Sequence, residues 1–371
     1  MIKIYKNNPK LFNEMRRFMS VKKNKEIKLL SFSIYLCLII ITTSSCNYNP
    51  VITEAQPGRR DYTWTIDTLN IYYPSYKIWG SSPTDVYSIN GSDFSHGIWH
   101  YEGHMWSTDG ISRNILPHAI FGFSYNNIYI GGSNGGEIWR FDGKNWSQFA
   151  ELTKAGQSFV AFENIWGSSP NDFFAVGSGP DNKGYFNNSV IAHFTNNEWE
   201  ILNTDEIKGD VVHLYKNQTD SKTYLRLTRI GGGEFADSTI IYEYTLGKYN
   251  ELYSSVQAIG IQADISLING EVYFILGDKV AERINNQFQI VLQVDNPNFC
   301  QRIWGRSSID IFLLMTDGLV HYNGSDMQYL FKFDKQGTQI YDAAIFEKEV
   351  FFVAYEAQDN IKIIYHGKLK E

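Results

Sequence analysis

Lys77-Ile78-Trp79-Gly80-Ser81-Ser82-Pro83-Thr84-Asp85-Val86-Tyr87 decides how the rest of this chain is read, because it comes back. A close copy runs Asn164-Ile165-Trp166-Gly167-Ser168-Ser169-Pro170-Asn171-Asp172-Phe173-Phe174, and a worn one runs from Arg302-Ile303-Trp304-Gly305-Arg306 to Asp310-Ile311-Phe312. Trp79 and Trp166 stand 87 residues apart, room for two units, and Ile120-Phe121-Gly122 to Ile128-Tyr129 lies midway with Phe for Trp. Trp166 and Trp304 stand 138 apart, room for three. Decayed units there are Val211–Tyr215 with Tyr224–Leu227, and Ile265–Phe274; a last copy is Ala343–Phe352. Seven units of about 40–45 residues, each with four strands, is the period of a β-propeller.

Each unit reads the same way. A first strand ends at Trp-Gly, and Ser-Ser-Pro-x-Asp makes a tight turn in which Pro fixes its own φ and Asp caps nearby amides. A second strand, a longer loop, a third strand such as Ile98-Trp99-His100-Tyr101, and a fourth marked by Trp106, Trp146 or Trp199 follow. These strands are apolar on both faces, as blades stacked on both sides require. The seventh unit stops after its third strand, so Asp61–Leu69, with Trp64 in the place of Trp146, is expected to supply its fourth. That closure would remove the exposed sheet edges on which aggregation starts. The expected fold is therefore all-β, a seven-bladed propeller of four-stranded antiparallel blades over residues 61–371, the last blade closed by the N-terminal strand.

The first 45 residues carry nine Lys or Arg against two Glu, which leaves the remainder at −14. Such an acidic body repels phosphate backbones, so no nucleic-acid partner is expected. Lys22, Lys23, Lys25 and Lys28 precede an apolar run, Leu29–Ile41, and then Thr42-Thr43-Ser44-Ser45-Cys46. Basic, apolar, then small residues is the layout of a secretory signal, and the run falls short of the ~20 residues of a membrane span. The ending resembles a bacterial lipobox, which implies lipidation of Cys46; an uncleaved N-terminal anchor is the alternative, and both export the rest. Residues 1–45 are thus expected to be a signal peptide, with Met19 as an alternative start that would leave 1–18 upstream. Residues 46–60 are expected to be a lipidated, flexible tether. The expected address is the bacterial envelope, periplasm-facing or at the cell surface. Cys300, alone in the body, cannot form an internal disulfide.

Trp-Gly-Ser-Ser-Pro-x-Asp-Val followed by an aromatic-rich strand resembles the repeat of bacterial secreted β-propeller proteins. The resemblance implies the fold and no particular activity, since propellers host binders and enzymes alike.

The chemistry-bearing residues are accounted for mostly by the repeat. His96, His100 and His104 are spaced by four, but Gly97 and Gly103 rule out a helix, and His100 shares its repeat position with Arg140, His193 and His321. Asp85, Asp172 and Asp310 recur in the turn and read as caps rather than a carboxylate set for glycosidic chemistry. Neither Gly131–Gly136 nor Gly177–Pro180 has the flanking residues of a phosphate or dinucleotide loop. No catalytic residue, metal or cofactor is expected. Most aromatics fall at repeated positions and are assigned to the core.

Loop length is the one irregular feature. The turns between first and second and between third and fourth strands are short, whereas the other two classes are long and share one rim. Loops on a rigid scaffold are where function concentrates. Asp93, Phe94, Asp181, Lys183, Tyr185, Phe186, Glu234 and Phe235 are therefore the candidate binding residues. The expected function is a non-catalytic lipoprotein whose rim binds a protein or glycan; the alternative is a polysaccharide-acting envelope enzyme with acids at the channel.

Overall fold

The structure is a computed structural model that describes residues 57–69, 75–91, 95–157, 159–232, 237–256 and 263–371. Within them every regular element is a strand, and the strands form seven four-stranded antiparallel sheets. Blade 1 runs from Ser75–Ser82 to Trp106–Ser107, blade 2 from Pro117–Ser124 to Trp146–Glu151, and blade 3 from Ala161–Ser169 to Glu198–Ile201. Blade 4 runs from Asp210–Lys216 to Lys248–Val256, blade 5 from Ala263–Ile268 to Gln287–Gln293, and blade 6 from Phe299–Ser307 to Met327–Lys332. Blade 7 is Thr338–Ile345, Glu349–Glu356 and Ile361–Leu369, and its fourth strand is Tyr62–Leu69 from the other end of the body. This is the expected seven-bladed propeller. Each decayed unit is a blade, and the N-terminal strand closes the ring.

The closure is specific at the level of side chains. Trp64 pairs with Gly367, as Trp146 pairs with Phe141 and Trp199 with Phe194 in their own blades. A Cβ on Gly367 would lie 2.8 Å from the Trp64 ring, so the third-strand aromatic of the other blades gives way to glycine where the closing tryptophan lies flat.

Among the described residues the apolar core consists of seven clusters, and each spans two neighbouring blades. Val176, Ile191, Val211 and Leu225 join blades 3 and 4; Tyr224, Ile241, Ile265 and Phe274 join blades 4 and 5. Both faces of the inner strands are thus inside, which is why Asn127–Gly132 and Asp310–Met315 are buried throughout while outer strands such as Lys248–Val256 keep an exposed face. The Trp-Gly glycine serves the same contact: at Gly122 a Cβ would sit 2.5 Å from the Trp79 ring of the preceding blade.

The tight turn carries a network that repeats from blade to blade. Asp85 Oδ1 is 2.7 Å from His100 Nε2, Asp172 Oδ1 2.7 Å from His193 Nε2, and Asp310 Oδ1 2.7 Å from His321 Nε2. The second carboxylate oxygen takes a turn residue: Ser81 Oγ donates to Asp85, Ser168 Oγ to Asp172 at 3.1 Å, and in the worn copy Arg306 Nη1 to Asp310 at 2.7 Å. Each histidine lies against the second-strand aromatic, Tyr87–His100 and Phe174–His193 with centroids 4.1 Å apart. Blade 7 keeps the arrangement with Glu349 and His366 at 2.8 Å, and blade 2 replaces it with Asn127 accepting from Arg140 at 2.9 Å. The carboxylates therefore tie a turn side chain to the third strand rather than capping amides as expected: the turn N–H groups of Thr84, Asn171 and Ile309 donate instead to Ser82, Ser169 and Ser307 Oγ at 3.3, 3.3 and 3.4 Å. His100 is a structural residue held by Asp85.

Candidate functional sites at the two ends of the ring

Because strands one and three run from the long-loop rim toward the tight-turn rim, each first strand presents its early residues near one end and its Trp-Gly near the other. Trp79, Phe121, Trp166, Tyr215, Ser266 and Trp304 occupy one register position, opposite Tyr87, Tyr129, Phe174, Tyr224, Tyr273 and Phe312. Five of those six are aromatic. They are half-buried and line a cup of about 390 Å³ on the ring axis, which reaches Asn269 and Gly305 at the tight turns. The assignment of the repeated aromatics to the core holds for one side of this layer, since each packs against a blade-to-blade cluster, while the other side faces the channel.

Two residues upstream stands a second layer, one side chain from each blade: Lys77, Ala119, Asn164, His213, Asp264, Arg302 and Asp342. In five blades a register shift directly precedes this position, as between Ser75 and Lys77 or Ile340 and Asp342, and in blade 6 Arg302 lies within the shift between Phe299 and Ile303. A bulge re-aims the next side chain. Five members, Lys77, Asn164, His213, Arg302 and Asp342, line the cup; Asp264 is buried behind it. Sequence reasoning misses this layer because its members follow no single residue type. The signal available was position, always two residues before the Trp or its substitute.

The electrostatics of the layer are uneven. Burial drives the His213 imidazole down to about 4, so it is neutral and its Nδ1–H donates to Asp264 Oδ1 at 2.9 Å. Burial pushes the Asp264 carboxyl up, but the His213 bond together with Arg226 and Arg302 outweighs it and holds Asp264 ionised. Asp342 lies 3.7 Å from Arg302 Nη2 and accepts from the Ile78 N–H at 3.2 Å. Burial lowers the Lys77 ammonium, Asp342 opposes that, and no hydrogen bond or ion pair reaches it from the described residues. Of the charged groups that line the cup, Lys77 and Arg302 are cations and Asp342 is the single carboxylate, while Arg226, Asp264, Glu163 and Asp210 lie outside the lining.

Nearer the long-loop rim the channel is charged but internally paired. His118 and Glu163 form an ion pair at 3.1 Å that overrides the burial of both, raising the imidazole and lowering the carboxyl. Burial, with the neighbouring Glu163 charge, pushes Asp210 up to about 7, and its Oδ1 accepts from Ser178 Oγ at 2.7 Å. These two acids lie outside the cup lining, where Asp342 is the single carboxylate.

On the long-loop rim itself, the loop after the second strand of blade 3 is ordered by Asp181. Its Oδ1 accepts from the N–H groups of Lys183 at 2.8 Å and Tyr185 at 3.0 Å, and its Oδ2 accepts from Asn187 Nδ2 at 3.1 Å. Burial opposes these donors, but they hold the carboxyl below its usual value. Asn187 then pairs with blade 4, donating to the Ile230 carbonyl at 2.8 Å and accepting from the Ile230 N–H at 3.0 Å. The result is a pocket of about 320 Å³ between blades 3 and 4, lined by Asp181, Asn182, Asn187 and Asn188 and by three cations, Lys183, Lys208 and Arg229.

Of the candidate binding residues, Asp181 and Lys183 line this pocket, the first as the hub of the loop. Tyr185 and Phe186 act as staples: the Tyr185 ring covers Gly232, where a Cβ would lie 2.3 Å away, and Phe186 packs edge-on to Phe159 at 5.7 Å. Asp93, Phe94, Glu234 and Phe235 lie outside the described residues, as does Cys46. Among the described residues no group of three or more His, Cys, Asp or Glu could hold a metal. Burial pushes the Cys300 thiol up to about 11, where it is unreactive.

No family model matches the sequence, and no curated protein matches it. Solved structures do. A structure of YCF48 bound to D1 peptide superposes with a TM-score of 0.57 at 13% identity, covering 84% of this chain and 99% of that one. A streptogramin B lyase superposes at 0.57 and 12% identity, covering 82% and 98%. The WD40 propeller domain of Doa1 superposes at 0.51 and 8% identity, covering 82% and 97%. At such identities the likeness establishes the fold alone.

Proposed function

We propose that this chain is an exported, lipid-anchored, non-catalytic binding protein of a bacterial envelope, whose long-loop rim docks a protein partner through the pocket between blades 3 and 4. The observation that carries the docking reading is the Asp181-centred loop. It is locked to the next blade and gathers Lys183, Lys208 and Arg229 around one pocket. On a body of charge −14 such a gathering of cations at the rim suits an acidic patch on the partner. The structure of YCF48 bound to D1 peptide lends support, since there a propeller of similar build takes a peptide. Glycosidic chemistry needs two converging carboxylates, and the channel pair that could supply them, Glu163 and Asp210, is committed to His118 and to Ser178, which disfavours the polysaccharide-enzyme reading. Export and anchoring rest on the basic, apolar and small-residue layout that ends at Cys46.

Two experiments test the reading. Replacing Cys46 with Ala should release the protein from the membrane fraction; unchanged membrane association would refute the lipid anchor. A photo-crosslinking residue at Asn182, in the protein's own envelope, should give a discrete protein adduct that disappears in the K183E/K208E double variant. The same residue at Thr84 on the opposite rim should give none. An adduct indifferent to the charge reversal, or none at Asn182, would refute docking at this pocket.

A further inference from the structure

The cup at the tight-turn end is independent of the proposed docking rim, and its chemistry narrows its occupant. Its wall is flat and aromatic on five blades, Trp79, Phe121, Trp166, Tyr215 and Trp304, and every one of these side chains is only partly covered. Its floor is polar, and the fixed charges there do not cancel. Asp264 is engaged by His213 and Arg226, Asp342 sits beside Arg302, and the Lys77 ammonium faces the cup with no partner of its own among the described residues. A half-desolvated cation of this kind is stabilised by an incoming anion, which would find the Arg302 guanidinium alongside. Trp304 keeps that guanidinium in place, 5.4 Å from its ring centroid.

We propose that this cup is a binding site for a small monoanion, a carboxylate carried on a flat ring. The carboxylate meets Lys77 and Arg302 on the floor while the ring lies against the tryptophan wall. A volume of about 390 Å³ sits at the small end of ligand pockets, enough for one ring with its acid and too small for a folded polymer segment. An aromatic acid and a sugar acid share this chemistry. The neutral forms of either lose the floor contact. Cations are repelled by the same surplus charge that attracts the acid. The pairing of Asp342 with Arg302 also sets a limit: a dianion would compete with Asp342 for the same guanidinium.

The test uses the full chain in detergent, with the fluorescence of the cup tryptophans as the readout. Phenylacetate and glucuronate are titrated beside their neutral counterparts, phenylacetamide and glucose, and beside phenyltrimethylammonium. At least one acid should saturate with a Kd below about 10 mM and bind about tenfold or more tightly than its neutral counterpart. Which acid does so identifies the ring as aromatic or saccharide. In K77M the preference for the acid should fall to within about twofold, in K77R it should persist, and in D342N acid affinity should rise several-fold. The rise in D342N is a readout that mere loss of packing would not give. Equal binding of acid and neutral forms, tighter binding of the ammonium, no saturation by either acid, or full preference in a folded K77M would each overturn the proposal. None of these outcomes bears on the crosslink at Asn182, so the two readings fail separately.

Discussion

The two ends of this ring are built on opposite plans. At the tight-turn end the backbone and most contacts repeat: Asp85–His100, Asp172–His193 and Asp310–His321 have the same 2.7 Å bond in three blades. At the long-loop end almost nothing repeats, and the Asp181 hub has no counterpart among the described residues. The natural lesson is that function belongs to the irregular end. The channel layer qualifies that lesson. Lys77, Asn164, His213, Asp264, Arg302 and Asp342 sit at one repeated position but carry different chemistry, so a regular scaffold displays an irregular site. Repetition of place combined with variation of residue marks a site as clearly as an extra loop does.

The sharpest way to break this contrast is to remove a charge from each end and compare the losses. Asp264 is 1% exposed, accepts from His213 and forms an ion pair with Arg226 at 3.7 Å. Its replacement by Ala leaves buried Arg226 only neutral acceptors, the Ala263 carbonyl and Thr228 Oγ1, and takes away the first of the charges that oppose its desolvation. Urea denaturation should show a loss of about 3–5 kcal/mol, the range for one partner removed from a buried pair. A loss below about 1 kcal/mol, the scale of an exposed pair, would mean that the channel layer carries no such electrostatic load.

Much of the fold is legible in the sequence because packing repeats with it. Trp64 matches Trp146 in type although it lies at the far end of the body from its blade, and the register with Gly367 agrees. Decayed units such as Ile265–Phe274 keep their apolar positions because both faces of a blade are buried, even where the turn residues have changed. The sites are less legible for the same reason. A residue such as Lys77 or Arg302 sits in an apolar strand beside Trp and looks like the edge of a core; only the bulge before it and the closure of the ring turn it inward. The Asp181 hub stands out by its loop, but its role depends on Asn187 reaching Ile230 in the next blade, a contact between residues 43 apart that no local pattern encodes.

A second contrast concerns lysines. Lys77 can exchange its desolvation for an anion from the channel, whereas Lys362, at the start of the third strand of blade 7, is 1% exposed and donates to Ser88 Oγ, a neutral acceptor, at 2.9 Å. Burial alone pushes its ammonium well below the ordinary value. A lysine whose folded pKa is depressed binds fewer protons folded than unfolded, so stability rises with pH between the folded value and the ordinary one near 10.5. K362M, similar in volume and free of that penalty, should therefore be more stable than the natural chain at pH 7 by about 2 kcal/mol. The gap should close as the pH approaches about 10, where the unfolded lysine also sheds its proton. Thermal melts of both proteins across that range measure it, and a gap that stays constant with pH would mean that Lys362 keeps its proton.

The smallest effect on stability should come from the residue that matters most to the proposed docking rim. Asp181 accepts three hydrogen bonds, but its loop is exposed and contributes little to any blade-to-blade cluster. D181A should change global stability by less than about 0.5 kcal/mol, as surface changes away from the core do. Amide exchange at Lys183 and Tyr185 should nevertheless accelerate, because their N–H groups lose the acceptor that orders them. The pocket lined by Lys183, Lys208 and Arg229 should then lose its shape and the crosslink at Asn182 should weaken, while phenylacetate or glucuronate binding in the cup stays unchanged. Exchange rates that do not move would show that the loop is held by Asn187 and Ile230 alone, and would shift the hub of that rim from the carboxylate to the amide.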